Sequence, residues 1–224
     1  IVSPKPQTTR NRIQGIVNRE GAQIVLIDTP GIHKPENELG RQMMEEVRQA
    51  LHALDVLLLI VDAKAEFGGG DRFALEMVKN AKAPAILLLN KVDAIAKERL
   101  LPLIERYGKE HEFSEIIPIS ALTGDGLEIV LNEIVKRLPE NPPYFPPEQY
   151  TDQPERFLAA EIVREKAIVA SRQEVPYAIA VLVDSFEEGA KLIRIRATIY
   201  VERDGQKGIL IGKGGAMLKK IGTE

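Results

Sequence analysis

The chain has 224 residues, 44 % of them hydrophobic and 28 % charged, and a formal net charge of −3. Cys is absent, which excludes a disulfide framework and any thiolate metal site and fits a reducing cytoplasm. No apolar run approaches the ~20 residues that span a bilayer, and the length suits one or two domains.

In chain order, Pro6-Gln7-Thr8-Thr9-Arg10 leads into a first expected strand at 13–19, and a second follows at 23–28. The second ends in Asp28-Thr29-Pro30-Gly31. A strand-end Asp can hold Mg²⁺ through a water, because Mg²⁺ keeps part of its hydration shell. Gly31 lets its N–H come close to a terminal phosphate, although Pro-Gly alone also makes a plain turn. A hydroxyl of Thr8 or Thr9 can complete the Mg²⁺ shell when a γ-phosphate is present; taken alone, that segment is only a Thr-rich loop.

A helix over 37–52 precedes a strand at 55–62. Its last residue, Asp62, reads as a strand-end cap. Gly68-Gly69-Gly70 reads as a mobile loop before a helix at 71–81. The apolar run Ala85–Leu89 leads into Asn90-Lys91-Val92-Asp93. After a helix at 97–112, the run Ile116–Ile119 leads into Ser120-Ala121, and a helix at 126–138 closes the half. Strands alternating with helices imply a doubly wound, mostly parallel α/β sheet, which binds ligands beyond the carboxyl ends of its strands. There Asp93 can accept from N1–H and the N2 amino group of guanine, a pairing that adenine cannot supply. Lys91 can lay its methylene stem over the purine. Asn90 can bond the base or tie neighbouring loops together, and the Ala121 N–H can donate to O6.

Pro139–Pro154 carries six prolines and reads as a stiff linker, with Tyr144 and Phe145 pinning it to one domain. Beyond it come a helix at Glu155–Ser171, strands at Tyr177–Ser185 and Ile193–Val201, a short helix at Gly208–Ile211, the loop Gly212-Lys213-Gly214-Gly215 and a helix at Ala216–Ile221. Ile209, Ile211, Met217 and Leu218 are the expected core and groove of this part. Residues 191–224 hold eight Lys or Arg against three acids, a basic end on an acidic chain that suits phosphate contact.

The order Thr8-Thr9-Arg10, Asp28–Gly31, Asn90–Asp93, Ser120-Ala121 resembles the second to fifth motifs of Ras-like GTPases of the translation-factor class. Pro6–Ile13 and Gln206–Gly212 are similar to the KH-domain GTPases of ribosome assembly within the TrmE-Era-EngA-like family, and the resemblance covers nearly the whole chain. It implies a Ras-like G domain over 1–141, a Pro-rich linker over 142–153 and a smaller α+β KH domain of prokaryotic type over 154–224. It implies GTP or GDP with Mg²⁺ at Asp28, Thr29, Pro30, Gly31, Ile32, Asn90, Lys91, Val92, Asp93, Ser120 and Ala121, with Thr8, Thr9 and Asp28 at the switch and metal. It places RNA on Ile211, Gly212, Lys213, Gly214, Gly215, Lys219 and Lys220, where a Gly-x-x-Gly loop clamps the backbone and an apolar groove takes bases. The implied partners are the 3′ end of small-subunit ribosomal RNA and the small subunit itself. The implied state is a cytoplasmic monomer with peripheral contact at the inner face of the cell membrane.

Two departures qualify the resemblance. The sequence has no G-x-x-x-x-G-K-[ST] phosphate loop, which in this family lies before the Thr-Thr-Arg segment; the chain is expected to lack its natural start and the end of its KH domain. Gly208–Gly215 does not replace that loop, since three residues separate Gly208 from Gly212 and Gly214 stands where Ser or Thr would touch Mg²⁺. Ile32 stands where a Ras-like enzyme carries its water-orienting Gln, so the catalytic group is unassigned. Hydrolysis of GTP is expected of the intact protein. The other readings of these features are a non-enzymatic RNA-binding scaffold with a decayed nucleotide site, and a relative with two G domains and a KH-like end.

Overall fold

The computed structural model describes residues 9, 12–35, 38–52, 54–171 and 179–224. It divides into two compact units, one over Gln14–Tyr150 and a second that takes in Thr151–Glu224.

In the first unit, β1 (Ile13–Arg19) and β2 (Ala22–Asp28) form a hairpin across Glu20-Gly21, where Gly21 supplies a φ of +73°. A parallel sheet follows, β3 (Leu57–Asp62), β4 (Ala85–Asn90) and β5 (Glu115–Pro118), in that spatial order. Parallel strands need crossovers, and helices α1 (Glu38–Leu51), α2 (Gly69–Lys79), α3 (Leu100–Glu110) and α4 (Leu127–Val135) alternate with the strands. The central strand β4 is buried over Ala85–Leu89, as both faces of such a sheet are covered. Its side chains alternate: Leu87 and Leu89 join Leu57, Leu59, Leu75, Val78 and Tyr107, while Ile86 and Leu88 join Ile24, Ile117, Ile119, Val130 and Ile134. This is the doubly wound arrangement expected of the sequence.

The hairpin forms a sheet of its own, with β2 unpaired to β3. A groove of about 1000 Å³ lies there, lined by Ile24–Ile32 and by Leu57–Asp62. The helix expected at 97–112 is split into a 3₁₀ turn at Lys97–Arg99 and α3, whose first turn accommodates Pro102.

Tyr107 of α3 donates its hydroxyl to Asp71 Oδ1 at 2.7 Å, and Asp71 Oδ2 accepts the Gly68 N–H at 2.8 Å, so one carboxylate joins α3 to the start of α2. The Tyr107 ring meets Phe67 edge-on at 5.2 Å. Burial first, then the Asp71 hydrogen bond and charge, push the Tyr107 phenol above its ordinary value. The phenol is thus held neutral in the folded state; its contribution is present below pH ~10, the unfolded value, and is lost as pH rises beyond it. Tyr107→Phe is expected to cost about 1–2 kcal/mol at neutral pH. Its stability should also fall less steeply above pH ~10, which denaturant titrations at several pH values would measure.

The proline-rich segment from 142 to 150 lies within the first unit. Gln23 anchors it: its Oε1 accepts the N–H groups of Tyr144 (2.8 Å) and Phe145 (2.9 Å), and its Nε2 donates to the Phe145 carbonyl (2.8 Å). The Ile16 N–H donates to the Tyr150 carbonyl at 2.8 Å. Tyr144 and Phe145 are thus held through their backbone groups, chiefly by the Gln23 amide, and the Tyr144 ring is exposed.

The second unit has α5 (Glu155–Ala170), the antiparallel pair β6 (Ala180–Glu188) and β7 (Ile193–Tyr200), α6 (Asp204–Ile211) and α7 (Ala216–Thr223). A register shift between Val183 and Ser185 leaves Asp184 without a strand partner. The Arg156 guanidinium of α5 donates to the Asp184 carbonyl at 3.1 Å, and Thr198 Oγ1 donates to Asp184 Oδ2 at 2.7 Å. Buried Arg164 forms a two-pronged pair with Glu161, at 2.6 and 2.5 Å, which satisfies a charge that would otherwise be costly to bury. The start of the expected strand at Tyr177–Ser185 lies outside the described residues.

Candidate functional site: a nucleotide loop cluster and a glycine turn

The parallel register sets Asp62 beside Asn90, so β3 and β4 end together, and Leu89 stands beside Pro118 of β5. The loops that leave these strand ends are stitched by one side chain. Asn90 Oδ1 accepts the N–H of Lys91 at 2.8 Å and that of Ala121 at 3.0 Å. The Val92 N–H donates to the Ile119 carbonyl at 3.2 Å. Asn90 therefore ties loops. The Ala121 N–H, expected to face a base, is engaged by Asn90 Oδ1, and the Asn90 NH₂ group bonds none of the described residues.

Asp93 sits exposed in a 3₁₀ turn, Val92–Ala94, with no side-chain partner among the described residues. Ser120 is 1 % exposed and builds its loop: its Oγ accepts the Thr123 N–H at 3.2 Å and its N–H donates to the Asp125 carbonyl at 3.0 Å. The loop closes at Gly126 (φ +77°), where a Cβ would meet the Pro118 oxygen at 2.6 Å.

Lys91 Nζ donates to Asp62 Oδ2 at 2.7 Å. Asp62 Oδ1 accepts the Lys64 N–H at 2.9 Å. Burial pushes the Asp62 carboxyl up, but the hydrogen bonds from Lys91 and Lys64 outweigh it and hold it below its ordinary value. The strand-end position expected of Asp62 thus also carries an ion pair to Lys91.

Asp28, Thr29, Pro30, Gly31 and Ile32 line the groove beside β3, which also carries Asp62, Gly70 and Asp71. Asp28 and Gly31 are exposed and Pro30 is buried. His33 Nδ1 lies 2.8 Å from the Gly31 carbonyl oxygen, within hydrogen-bond distance. Ile32 packs between the two apolar clusters that hold Met43, Met44 and Val47 of α1 and Leu57, Leu59 and Val61 of β3. Thr8 lies outside the described residues.

In the second unit the glycine turn joins α6 to α7. Gly212, Gly214 and Gly215 all have positive φ, at +70°, +59° and +81°. Gly212 is packed, since a Cβ would meet Met217 Cβ at 2.9 Å and its backbone N at 3.0 Å, whereas Gly214 and Gly215 face open space. Lys213, Lys219 and Lys220 are exposed. Helix α6 begins at Asp204, four residues earlier than expected, because Gln206 Oε1 accepts the Arg203 N–H at 3.0 Å and caps it. The core residue of α6 is Leu210, with Met217 beside it; Ile209, Ile211 and Leu218, expected in core or groove, are exposed.

Fold and loops together define a Ras-like GTPase domain followed by a KH domain. A family model described as 50S ribosome-binding GTPase matches residues 1–91, and a KH domain model matches residues 174–224. The chain is 51 % identical over its whole length to GTPase Era of Syntrophus aciditrophicus (strain SB), covering 74 % of that protein. It superposes on a crystal structure of Era in complex with MgGDPNP and nucleotides 1506–1542 of 16S ribosomal RNA with a TM-score of 0.95, at 42 % identity, over all of this chain and 77 % of the other. A variant of Aquifex aeolicus Era bound to GDP·AlF₄⁻ matches over the same shares at a TM-score of 0.92 and 42 % identity. The chain belongs to the Era family of GTPases.

Proposed function

We propose that this protein is a GTP-driven switch that binds the 3′ end of small-subunit ribosomal RNA and assists assembly of the small ribosomal subunit. The observation that carries the reading is the Asn90 amide bridging two loops beside an Asp93 carboxylate that bonds no side chain among the described residues. That arrangement suits a guanine edge, with Asp93 accepting from its two donors and the Lys91 stem covering its face. Asp28, exposed at the end of β2, is the residue to hold Mg²⁺, which when bound offsets charge on the terminal phosphates. Thr8 or Thr9 completes that shell in the GTP state. GTP orders the Thr8-Thr9 loop and the loop after Gly31, and hydrolysis releases both. The crystallised Era bound to MgGDPNP and a 16S fragment supports both halves of this reading.

The test is a titration of full-length protein with fluorescent GDP and ADP, and with single-stranded RNA matching the 3′ end of its 16S ribosomal RNA. Guanine preference together with RNA binding is expected. Equal affinity for ADP, or RNA binding by a protein that hydrolyses no GTP, would favour the scaffold. Among the described residues no helix is long and apolar enough to cross a membrane. The proposal includes a cytoplasmic monomer with only peripheral contact at the membrane's inner face, checked by light scattering and vesicle co-sedimentation.

Ile32→Gln should not make a Ras-like enzyme. Its side chain belongs to the apolar contact between α1 and β3, where an amide finds no partner. Single-turnover hydrolysis is expected to change by less than about tenfold, ~1.4 kcal/mol, while stability falls by about 1–3 kcal/mol. A hundredfold acceleration would show that Ile32 faces the reacting water.

A further inference from the structure

Lys91 is the one residue other than glycine with a positive φ, +68°, among those described. A side chain with a Cβ adopts that conformation at a cost, so it must be over-determined by its surroundings. The Lys91 N–H is bound to Asn90 Oδ1, its carbonyl accepts the Ala94 N–H at 3.0 Å, and its ammonium donates to Asp62 Oδ2 at 2.7 Å. Asp62 is itself fixed. The sheet register places it beside Asn90, its Oδ1 accepts the Lys64 N–H, and its carbonyl accepts the Ala65 N–H at 3.0 Å. The two side chains are 37 % (Asp62) and 54 % (Lys91) exposed, and a pair so open to water adds little to stability. Its effect is geometric: a long, flexible lysine is held at one place at the rim of the loop cluster.

We propose that Asp62 is a positioning residue for the guanine nucleotide, holding the Lys91 ammonium so that its methylene stem is ordered before the purine arrives. The proposal rests on the reading of Asn90–Asp93 as the guanine loop. A side chain already ordered loses less freedom on binding, so the gain appears as tighter nucleotide binding and slower release.

The test is a double-mutant cycle on the full-length protein, read by fluorescent GDP affinity and dissociation rate. Asp62→Asn keeps an oxygen for the Lys64 N–H and removes the charge that holds Lys91. It is expected to weaken GDP binding about fivefold, mainly through faster dissociation. In a Lys91→Met background, which keeps an apolar stem without charge, Asp62→Asn should change affinity by less than about twofold. A second readout needs no Met background. Added salt screens the pair, so the parent's dissociation rate should climb towards that of Asp62→Asn, whose own rate responds less. Equal losses in both backgrounds, parallel salt responses, or no loss in the parent background would each overturn the positioning role. Asp93→Asn in the same assay separates the two ideas. If it leaves guanine preference intact, the guanine reading fails; if it shifts preference to xanthine while the Asp62 and Lys91 effects simply add, only the positioning role fails.

Discussion

Asp93→Asn is expected to weaken GDP binding by at least about a hundredfold, ~2.7 kcal/mol, and to strengthen binding of xanthosine diphosphate. The carboxylate offers only acceptors, and guanine offers two donors on one edge. An Asn amide keeps one acceptor and turns a donor towards a donor, so one side of the pair is left unsatisfied at a site built for two bonds. Xanthine carries an oxygen in place of the amino group and accepts from that same amide. The fold should not change, because Asp93 is exposed in its turn and bonds no described side chain. The measurement is competition of GDP, ADP and xanthosine diphosphate against a fluorescent nucleotide on full-length protein. A mutant that binds GDP as the parent does would remove Asp93 from the base-reading role.

Much of this site was legible because two of its loops follow buried parallel strands. An unbroken apolar run such as Ala85–Leu89 can be little other than a strand covered on both faces, and the residues after it fall at the ligand end of the sheet. Less legible were features that depend on contacts between distant segments. The Asp62–Lys91 pair spans 29 positions and follows from register, which no local pattern encodes. The Gln23 anchor on Tyr144 and Phe145 spans more than a hundred positions and uses backbone groups that are the same in any sequence. In the KH half the pattern misled for a local reason: Gly205 and Gly208 weaken helix propensity, so α6 looked shorter than it is. Leu210, which no sequence pattern singled out, is the buried residue of α6, and Ile209 and Ile211 are exposed beside it.

Gly215→Asp is expected to lower affinity for single-stranded RNA by at least about thirtyfold, ~2 kcal/mol, while GDP binding stays unchanged. Gly215 lies at the mouth of α7 with φ +81° and open space where a side chain would grow. Asp tolerates a positive φ better than most residues, so the turn should survive the substitution. Its carboxylate would then occupy the path along which a phosphate approaches the glycine backbone, and like charge repels there. Gly212 offers the contrast. A side chain at Gly212 drives into the Cβ and backbone N of Met217, so Gly212→Asp should unfold the α6–α7 corner, and a loss of RNA binding there would carry no information about the contact. Lys213→Ala isolates charge from shape: Lys213 is exposed, and its removal should weaken binding to all RNA sequences alike and reduce the salt slope by about 0.7. Titrations at several salt concentrations, with circular dichroism to verify the fold, measure both effects. A folded Gly215→Asp protein that binds RNA as the parent does would move the RNA site off the glycine turn and onto another surface of the basic C-terminal part.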